Sequence, residues 1–309
     1  MDYIHTKPLS PGVEVTQQIL QEISALSDQD KPDQAAMAMF SRAMAMSASG
    51  DTAGELAEYA RLIARFGDSD HPELRRWVAR AMYNRAVVVD ESGNEAEALA
   101  EYARLIARFG DSDHPAVQEQ VARAMYNRAV VVKASGNETE ALAEYARLIA
   151  RFGDSEQPAV QEPVAGAMLN RALALDASGD AAGELAEYAR LIARFGDSDH
   201  PAVQVLVARA MLNRAVTLNA SGDKAEALAE YARLTTRFGD SEQPAAQELV
   251  ARAMFFRAQA LDASGNEAEA LAEYGRLIAR FGDSDHPELR GWVARAMFNR
   301  AAAVNASGD

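Results

Sequence analysis

Phe-Gly-Asp-Ser recurs along this chain at Phe66, Phe109, Phe152, Phe195, Phe238 and Phe281, always 43 residues apart. A second marker, Ser-Gly followed by Asp or Asn, recurs with the same period at Gly50, Gly93, Gly136, Gly179, Gly222, Gly265 and Gly308. A fixed period of this length constrains the fold more than any other feature. It describes one supersecondary unit that cannot bury its apolar face alone and must stack on its neighbours.

The residues between the markers say what the unit is. Over about 72–91, Val78, Met82, Ala86 and Val89 are spaced by three and four; over 95–108, Leu99, Tyr102, Leu105 and Ile106 form a second stripe. Both spacings are helical and neither alternates. Pro72, Pro115, Pro158, Pro201, Pro244 and Pro287 each open a first helix, where proline has no hydrogen bond to lose. Asp70 and Glu73 have capping-box spacing in one copy. Gly93 and Gly67, with their equivalents, follow the first and second helix, where a left-handed cap residue is wanted. The predicted fold is all-α, a superhelical solenoid of antiparallel helix pairs. Val13 to Leu26 reads as an amphipathic helix through Val15, Ile19, Ile23 and Leu26. Residues 1–31 are therefore predicted as an arm and capping helix, and 32–309 as six helix pairs plus an unpaired final helix.

Composition narrows the function. The chain has 309 residues, 49% of them hydrophobic, and no cysteine, which excludes a disulfide scaffold, a thiol nucleophile and a zinc-thiolate site. A formal charge of −15 argues against nucleic acid and against an anionic membrane surface as partners. No apolar run approaches the roughly 20 residues that span a bilayer, and the start, Met1-Asp2-Tyr3-Ile4, lacks the apolar core of a signal peptide. The expectation is an acidic cytoplasmic protein, and the alanine-rich uniform repeats point to a bacterial source.

The stretch from Ala81 through Met82, Asn84 and Ala86 to Gly93, Ala98 and Tyr102 resembles a tetratricopeptide repeat. In that family a bulky residue and a small residue four later mark the first helix, as Met82 and Ala86 do. A turn glycine, a small residue and an aromatic follow, as Gly93, Ala98 and Tyr102 do. The likeness runs over about residues 36–308. It departs from the family in its unit length, 43 residues against about 34. Glu55 and Glu184 stand in place of the small residue, and a row of arginines (Arg42, Arg85, Arg128, Arg171, Arg214, Arg257, Arg300) where an aliphatic is usual.

No phosphate loop, nucleophile elbow or His-Glu-x-x-His is present, and each carboxylate has a copy one period along, so no acid–base pair stands out. The chain is read as a non-enzyme without cofactor or metal. His71, His114, His200 and His286 share one loop position; with Asp68 and Asp70 they suit helix capping, a metal reading being weakened where Gln157 and Gln243 replace the imidazole. The tyrosines from Tyr59 to Tyr274 suit packing between helices, against a base-stacking platform. The arginine row suits ion pairs between repeats, with Glu101 or the loop carboxylates Asp68 and Asp111, against an anion-binding row.

Asn84, Asn127, Asn170, Asn213 and Asn299 share one first-helix position, with Ser41 and Phe256 as exceptions. The resemblance places that face in a concave groove, where such amides bond a peptide main chain. An amide carries donor and acceptor and so matches a peptide group without reading side chains; a local inter-helix bond is the alternative. Variation among the copies gathers on the same face, at Tyr83, Tyr126 and their equivalents, while the second helix hardly changes. Arg80, Arg123, Arg209, Arg252 and Arg295 flank the row and suit ligand carboxylates. The reading is a protein-interaction module that takes an extended peptide or a helix. A regulatory domain of a larger protein and a self-associating spacer are the alternatives, the latter a homodimer through the C-terminal helix, whose Val293, Met297, Ala301 and Val304 should lack cover.

Overall fold

The computed structural model describes residues 31–307, which form thirteen α-helices and, among the described residues, no strand. In chain order they are α1 (Pro32–Ala48), α2 (Thr52–Phe66), α3 (Pro72–Glu91), α4 (Glu95–Phe109), α5 (Pro115–Ala134), α6 (Glu138–Phe152) and α7 (Pro158–Ala177). They continue with α8 (Ala181–Phe195), α9 (Pro201–Ala220), α10 (Lys224–Phe238), α11 (Pro244–Asp262), α12 (Glu267–Phe281) and α13 (Pro287–Ser307). The capping helix expected over Val13–Leu26 lies outside the described residues. The chain separates into two compact units, one ending at Ala167 and the other beginning at Met168, so the division falls within α7. In the first unit each helix from α1 to α6 packs on the next; in the second, α8 to α13 do the same.

Glycine sets the turn inside each pair. Gly50 and Gly93 adopt φ of +78° and Gly222 of +93°, a region that side-chain-bearing residues rarely enter. The second helix then starts on a side-chain cap in several copies: the Asp51 carboxylate accepts from the Gly54 N–H at 2.9 Å, and Asp180 from Gly183 at 2.9 Å.

The other glycine, at Gly67 and its equivalents, corrects the sequence reading. Its φ is −54°, right-handed. Its purpose is close approach: a Cβ on Gly67 would stand 2.4 Å from the Ile63 carbonyl oxygen and 3.3 Å from the Arg108 guanidinium, which donates to the Gly67 carbonyl. The loop polar residues also act differently from expectation. The N-cap is His71, His114 or His200, with the imidazole unengaged in capping. Asp70 therefore stands one residue too early to reach the first-turn N–H groups, and it faces Arg75 at 3.5 Å instead. Ser69 Oγ accepts from the His71 N–H at 3.2 Å and steadies the turn.

The core repeats with the sequence. Tyr59, Tyr102, Tyr145, Tyr188, Tyr231 and Tyr274 are at most 2% exposed, so the tyrosine row is packing. One residue earlier on each second helix lies a buried glutamate, Glu58, Glu101, Glu144, Glu187, Glu230 or Glu273. Arg85 reaches Glu101 at 2.8 Å, Arg171 reaches Glu187 at 2.7 Å, Arg214 reaches Glu230 at 2.8 Å, Arg257 reaches Glu273 at 2.9 Å, and Arg128 pairs with Glu144. Glu101 is a partner the sequence offered, but these pairs lie within a helix pair and not between repeats as expected, because the intervening turn brings the arginine opposite the carboxylate. A second guanidinium from the next turn of the second helix, such as Arg104 on Glu101 or Arg147 on Glu144, completes each site. Ion pairs between repeats fall to other arginines: Arg108 to Asp68 at 3.7 Å and Arg237 to Asp197 at 3.7 Å.

In α13, Met297 is 51% exposed and Ala301 is exposed, as expected, whereas Val293 is 6% exposed and Val304 half-buried. Val293 is covered because α13 packs on both α11 and α12.

Removing the buried partner of such a carboxylate costs more than removing the exposed one. Arg128→Met should destabilise the fold by about 2 kcal/mol in urea unfolding, since Glu144 keeps only its surface partner. Arg147→Met should cost under about 0.5 kcal/mol. Equal losses for the two would show that the buried pair contributes nothing special.

Candidate functional site

Within each unit the first helices are the closely spaced layer. Contacts join α1 to α3 and α3 to α5 in the first unit, and α9 to α11 and α11 to α13 in the second, while among the described residues no second helix touches another. The wider second-helix layer holds a shallow groove of about 430 Å³ between α8 and α10, floored by Met211 and Ile192. Its guanidiniums are committed: Arg214 and Arg233 to Glu230, Arg214 also to Glu226, and Arg237 to Asp197. That groove therefore offers a ligand no free cation, which leaves the first-helix layer.

The asparagines of that layer are tied to the tyrosine row. Asn84 Nδ2 donates to the Tyr59 hydroxyl at 3.1 Å, Asn213 to Tyr188 at 3.3 Å and Asn299 to Tyr274 at 3.3 Å, each hydroxyl belonging to the preceding repeat. These three amides and Asn170 are half-buried. One N–H is used on tyrosine, so in Asn213 and Asn299 a carbonyl oxygen and a second N–H remain on the helix face, whereas Asn84 also donates to the Met44 sulfur at 3.8 Å and keeps its carbonyl oxygen. Asn127 differs. It is 2% exposed and donates to both Tyr83, at 3.0 Å, and Tyr102, at 3.5 Å. Its carbonyl oxygen is buried without a partner.

Tyr83 and Tyr126, expected to line pockets of differing size, are instead 2% and 3% exposed. Tyr83 packs on Tyr102 with centroids 6.4 Å apart, and burial pushes its hydroxyl up to about 12. Tyr126 packs on Tyr145 and fills the space at Gly166, where a Cβ would stand 2.8 Å from its ring. Gly166 is thus the position that yields its arginine to a neighbour's ring. Of the flanking arginines, Arg123 reaches Glu119 at 2.9 Å and Arg252 reaches Glu248 at 3.9 Å. Arg209 is half-buried, and Arg80 and Arg295 are exposed.

Two features escaped the sequence reading. Arg80 lies 4.5 Å from the Phe40 ring centroid, and Arg295 lies 4.6 Å from that of Trp292. Their signal was present in the chain's two tryptophans, Trp77 and Trp292, which occupy one repeat position. The second feature is a pair of buried carboxylates, Glu55 and Glu184, 5% and 3% exposed. Thr217 Oγ1 donates to Glu184 at 3.0 Å and the Tyr188 hydroxyl also bonds it. Burial holds the Glu184 carboxyl above the usual carboxylate range, opposed by those two hydrogen bonds and helped by Asp176. Glu55 is raised for the same reason, with Ser47 and Tyr59 bonding it and Glu91 adding repulsion. Among the described residues no three metal-ligating side chains gather. The arrangement offers hydrogen bonds, cations and apolar contact to a ligand.

Comparison with known proteins agrees with this architecture. Residues 209–241 match the family model described as tetratricopeptide repeat. No functionally curated protein matches the chain. BtubC (BKLC) from P. vanneervenii is 16% identical, with 83% of this chain and 90% of that one covered and a TM-score of 0.54. The TPR-like repeats of a putative kinesin light chain from Podosopora anserina are 18% identical, covering 74% of this chain and 98% of that one with a TM-score of 0.46.

A raised carboxyl holds its proton more readily in the folded state, so its contribution to stability is best at low pH and is lost as pH rises through the folded pKa. Glu184→Gln should therefore stabilise the protein by about 1 kcal/mol at pH 8, because no charge is left to desolvate. The gain should vanish by pH 4. Urea midpoints at the two pH values that differ from wild type by equal amounts would contradict this account.

Proposed function

Because the chain is a tetratricopeptide-like repeat protein, a fold that generally serves protein–protein interaction, we propose that its first-helix face binds an extended peptide or a helix of a partner protein. The supporting observation is that Asn84, Asn213 and Asn299 are held in register by tyrosine hydroxyls, with a carbonyl oxygen left over in each and an N–H as well in Asn213 and Asn299. A peptide group needs one acceptor and one donor, and an amide fixed by its third hydrogen bond supplies both at little entropic cost. Asn170 shares the position and belongs to the same row. Arg80, Arg123, Arg209, Arg252 and Arg295 flank it as the cationic edge. Asn127, Tyr83 and Tyr126 support the face from below. The chemistry is recognition, without a catalytic step.

Asn213→Ala with Asn299→Ala should weaken a peptide partner by roughly 30-fold or more in calorimetry, four lost bonds at about 0.5 kcal/mol or more each. Helicity should hold. An affinity within twofold of wild type would remove the amides from the reading.

Self-association through α13 is a second reading, favoured by Met297 at 51% and Phe298 at 74% exposure. A patch of large apolar side chains gains by being covered. Sedimentation should then show a concentration-dependent dimer that Met297→Asp weakens. A monomer at ~100 µM, about a hundredfold above a Kd near 1 µM, would dismiss it.

A further inference from the structure

The repeated positions show which helix face is left open. Met82, Met125, Met211 and Met254 are 5% to 7% exposed, whereas their copy Met297 is 51% exposed. Tyr83, Tyr126, Leu212 and Phe255 are at most 6% exposed, whereas Phe298 is 74% exposed. The reason is cover: α3, α5, α9 and α11 each pack on a second helix of their own, and among the described residues α13 has none. The charges follow suit. Arg214 and Arg257 meet a buried glutamate 16 residues later, as Arg85 and Arg128 do. For Arg300 that place is not among these 309 residues. It is exposed, and the described residues give it no ion pair.

Residues 19–26 lie outside the described residues, but their sequence repeats a second helix. Set against 98–105, Leu20, Glu22 and Leu26 match Leu99, Glu101 and Leu105, and Ile23 takes the place of Tyr102. The next first helix agrees: α1 has Ser41 where its copies carry the asparagine that donates to a tyrosine hydroxyl. Isoleucine has no hydroxyl, so α1 needs no amide. Glu22 lacks both arginines that serve Glu101. Thr6 stands 16 residues before it, where Arg85 stands before Glu101, and Ala25 takes the place of Arg104. The sequence thus holds a glutamate without its arginine near one end and an arginine without its glutamate near the other.

The exposed apolar side chains complement one another in the same way. Arg80 lies 4.5 Å over the Phe40 ring of the preceding first helix. Met37 holds the place of Arg80 in α1, and Phe298 holds the place of Phe40 in α13. Stacking α1 of one copy after α13 of another would lay Met37 on Phe298 as Arg80 lies on Phe40. Met37, Met297 and Phe298 are three of the four large apolar side chains exposed among the described residues, so exposed apolar surface gathers on the two faces that would meet.

Building on self-association through α13, we propose that the partner of α13 is the N-terminal part of a second copy. Residues 19–26 of that copy pack on α13 as its second helix, with Glu22 on Arg300, and α1 stacks next with Met37 on Phe298. The two segments are halves of one repeat carried on different copies. Each copy offers one face of each kind, so the contact is heterologous and assembly can pass beyond a dimer.

Charge exchange in the full chain tests the pairing. Glu22→Arg alone and Arg300→Glu alone should each weaken self-association in sedimentation by roughly 10-fold or more, because like charges then meet at the joint. Mixing the two single variants should restore association to within about threefold of wild type, since each offers the other an opposite charge. Both changes in one chain should restore it as well, and that recovery shows that the variants fold. Association of Glu22→Arg at wild-type strength, or failure of both the mixture and the double variant to recover, would overturn the assignment. If Met297→Asp weakens association while Glu22→Arg does not, self-association through α13 stands and only the split repeat falls. A wild-type chain that stays monomeric at ~100 µM removes both.

Discussion

Tyr59, Tyr102, Tyr188 and Tyr274 each tie their own repeat to the amide of the one that follows, and that exchange is the contact on which the stacking turns. The ring packs inside its own helix pair at no more than 2% exposure, and a hydroxyl so placed is stabilised by a partner. For Tyr59, Tyr188 and Tyr274 the partner is an asparagine amide on the next first helix. Where Phe256 replaces the amide, no described side chain bonds Tyr231, and burial alone pushes that hydroxyl up to about 12. The link fixes the register of one helix pair on the next, and apolar packing then follows the repeat.

This arrangement divides labour between the two layers. The second helices hold the fixed machinery, a tyrosine and a buried glutamate with its exposed arginine, repeated with little change, while the glutamate's buried arginine comes from the first helix of the same pair. The glutamate cannot vary cheaply, because losing one member of a buried ion pair orphans the other. The first helices carry both the amides that receive the tyrosines and the side chains that change between copies. They also pack closely enough, α1 on α3 and α9 on α11, to present these groups as a row within each unit. Buried Glu55 and Glu184 break the pattern, since each replaces a small residue and relies on hydroxyls instead of a cation.

Much of this was legible in the sequence because repetition turns weak local signals into strong ones. Pro72 and its copies opened helices as read, and Gly93 and its copies took the left-handed turn. What could not be read was geometry across the turn. The period gives no sign that Arg85 faces Glu101 within its own pair, or that Gly67 serves the approach of Arg108 instead of a left-handed cap. The asparagine row was visible as a pattern, but the tyrosine partner 25 residues earlier was not, since that contact exists only once two repeats are stacked. The burial of Asn127 and Tyr83 followed from the same stacking.

A tyrosine–amide bond of the same kind can be weighed directly at Tyr83 and Asn127, two residues each 2% exposed and joined at 3.0 Å on successive first helices. The measurement is a double-mutant cycle in urea unfolding with Tyr83→Phe, Asn127→Ala and the two combined. If tyrosine–amide bonds tie repeat to repeat, the coupling should be about 1 kcal/mol or more, the range of a buried hydrogen bond. A coupling indistinguishable from zero, with both single variants destabilised, would mean that apolar packing alone sets the register and that the amides take no part in it.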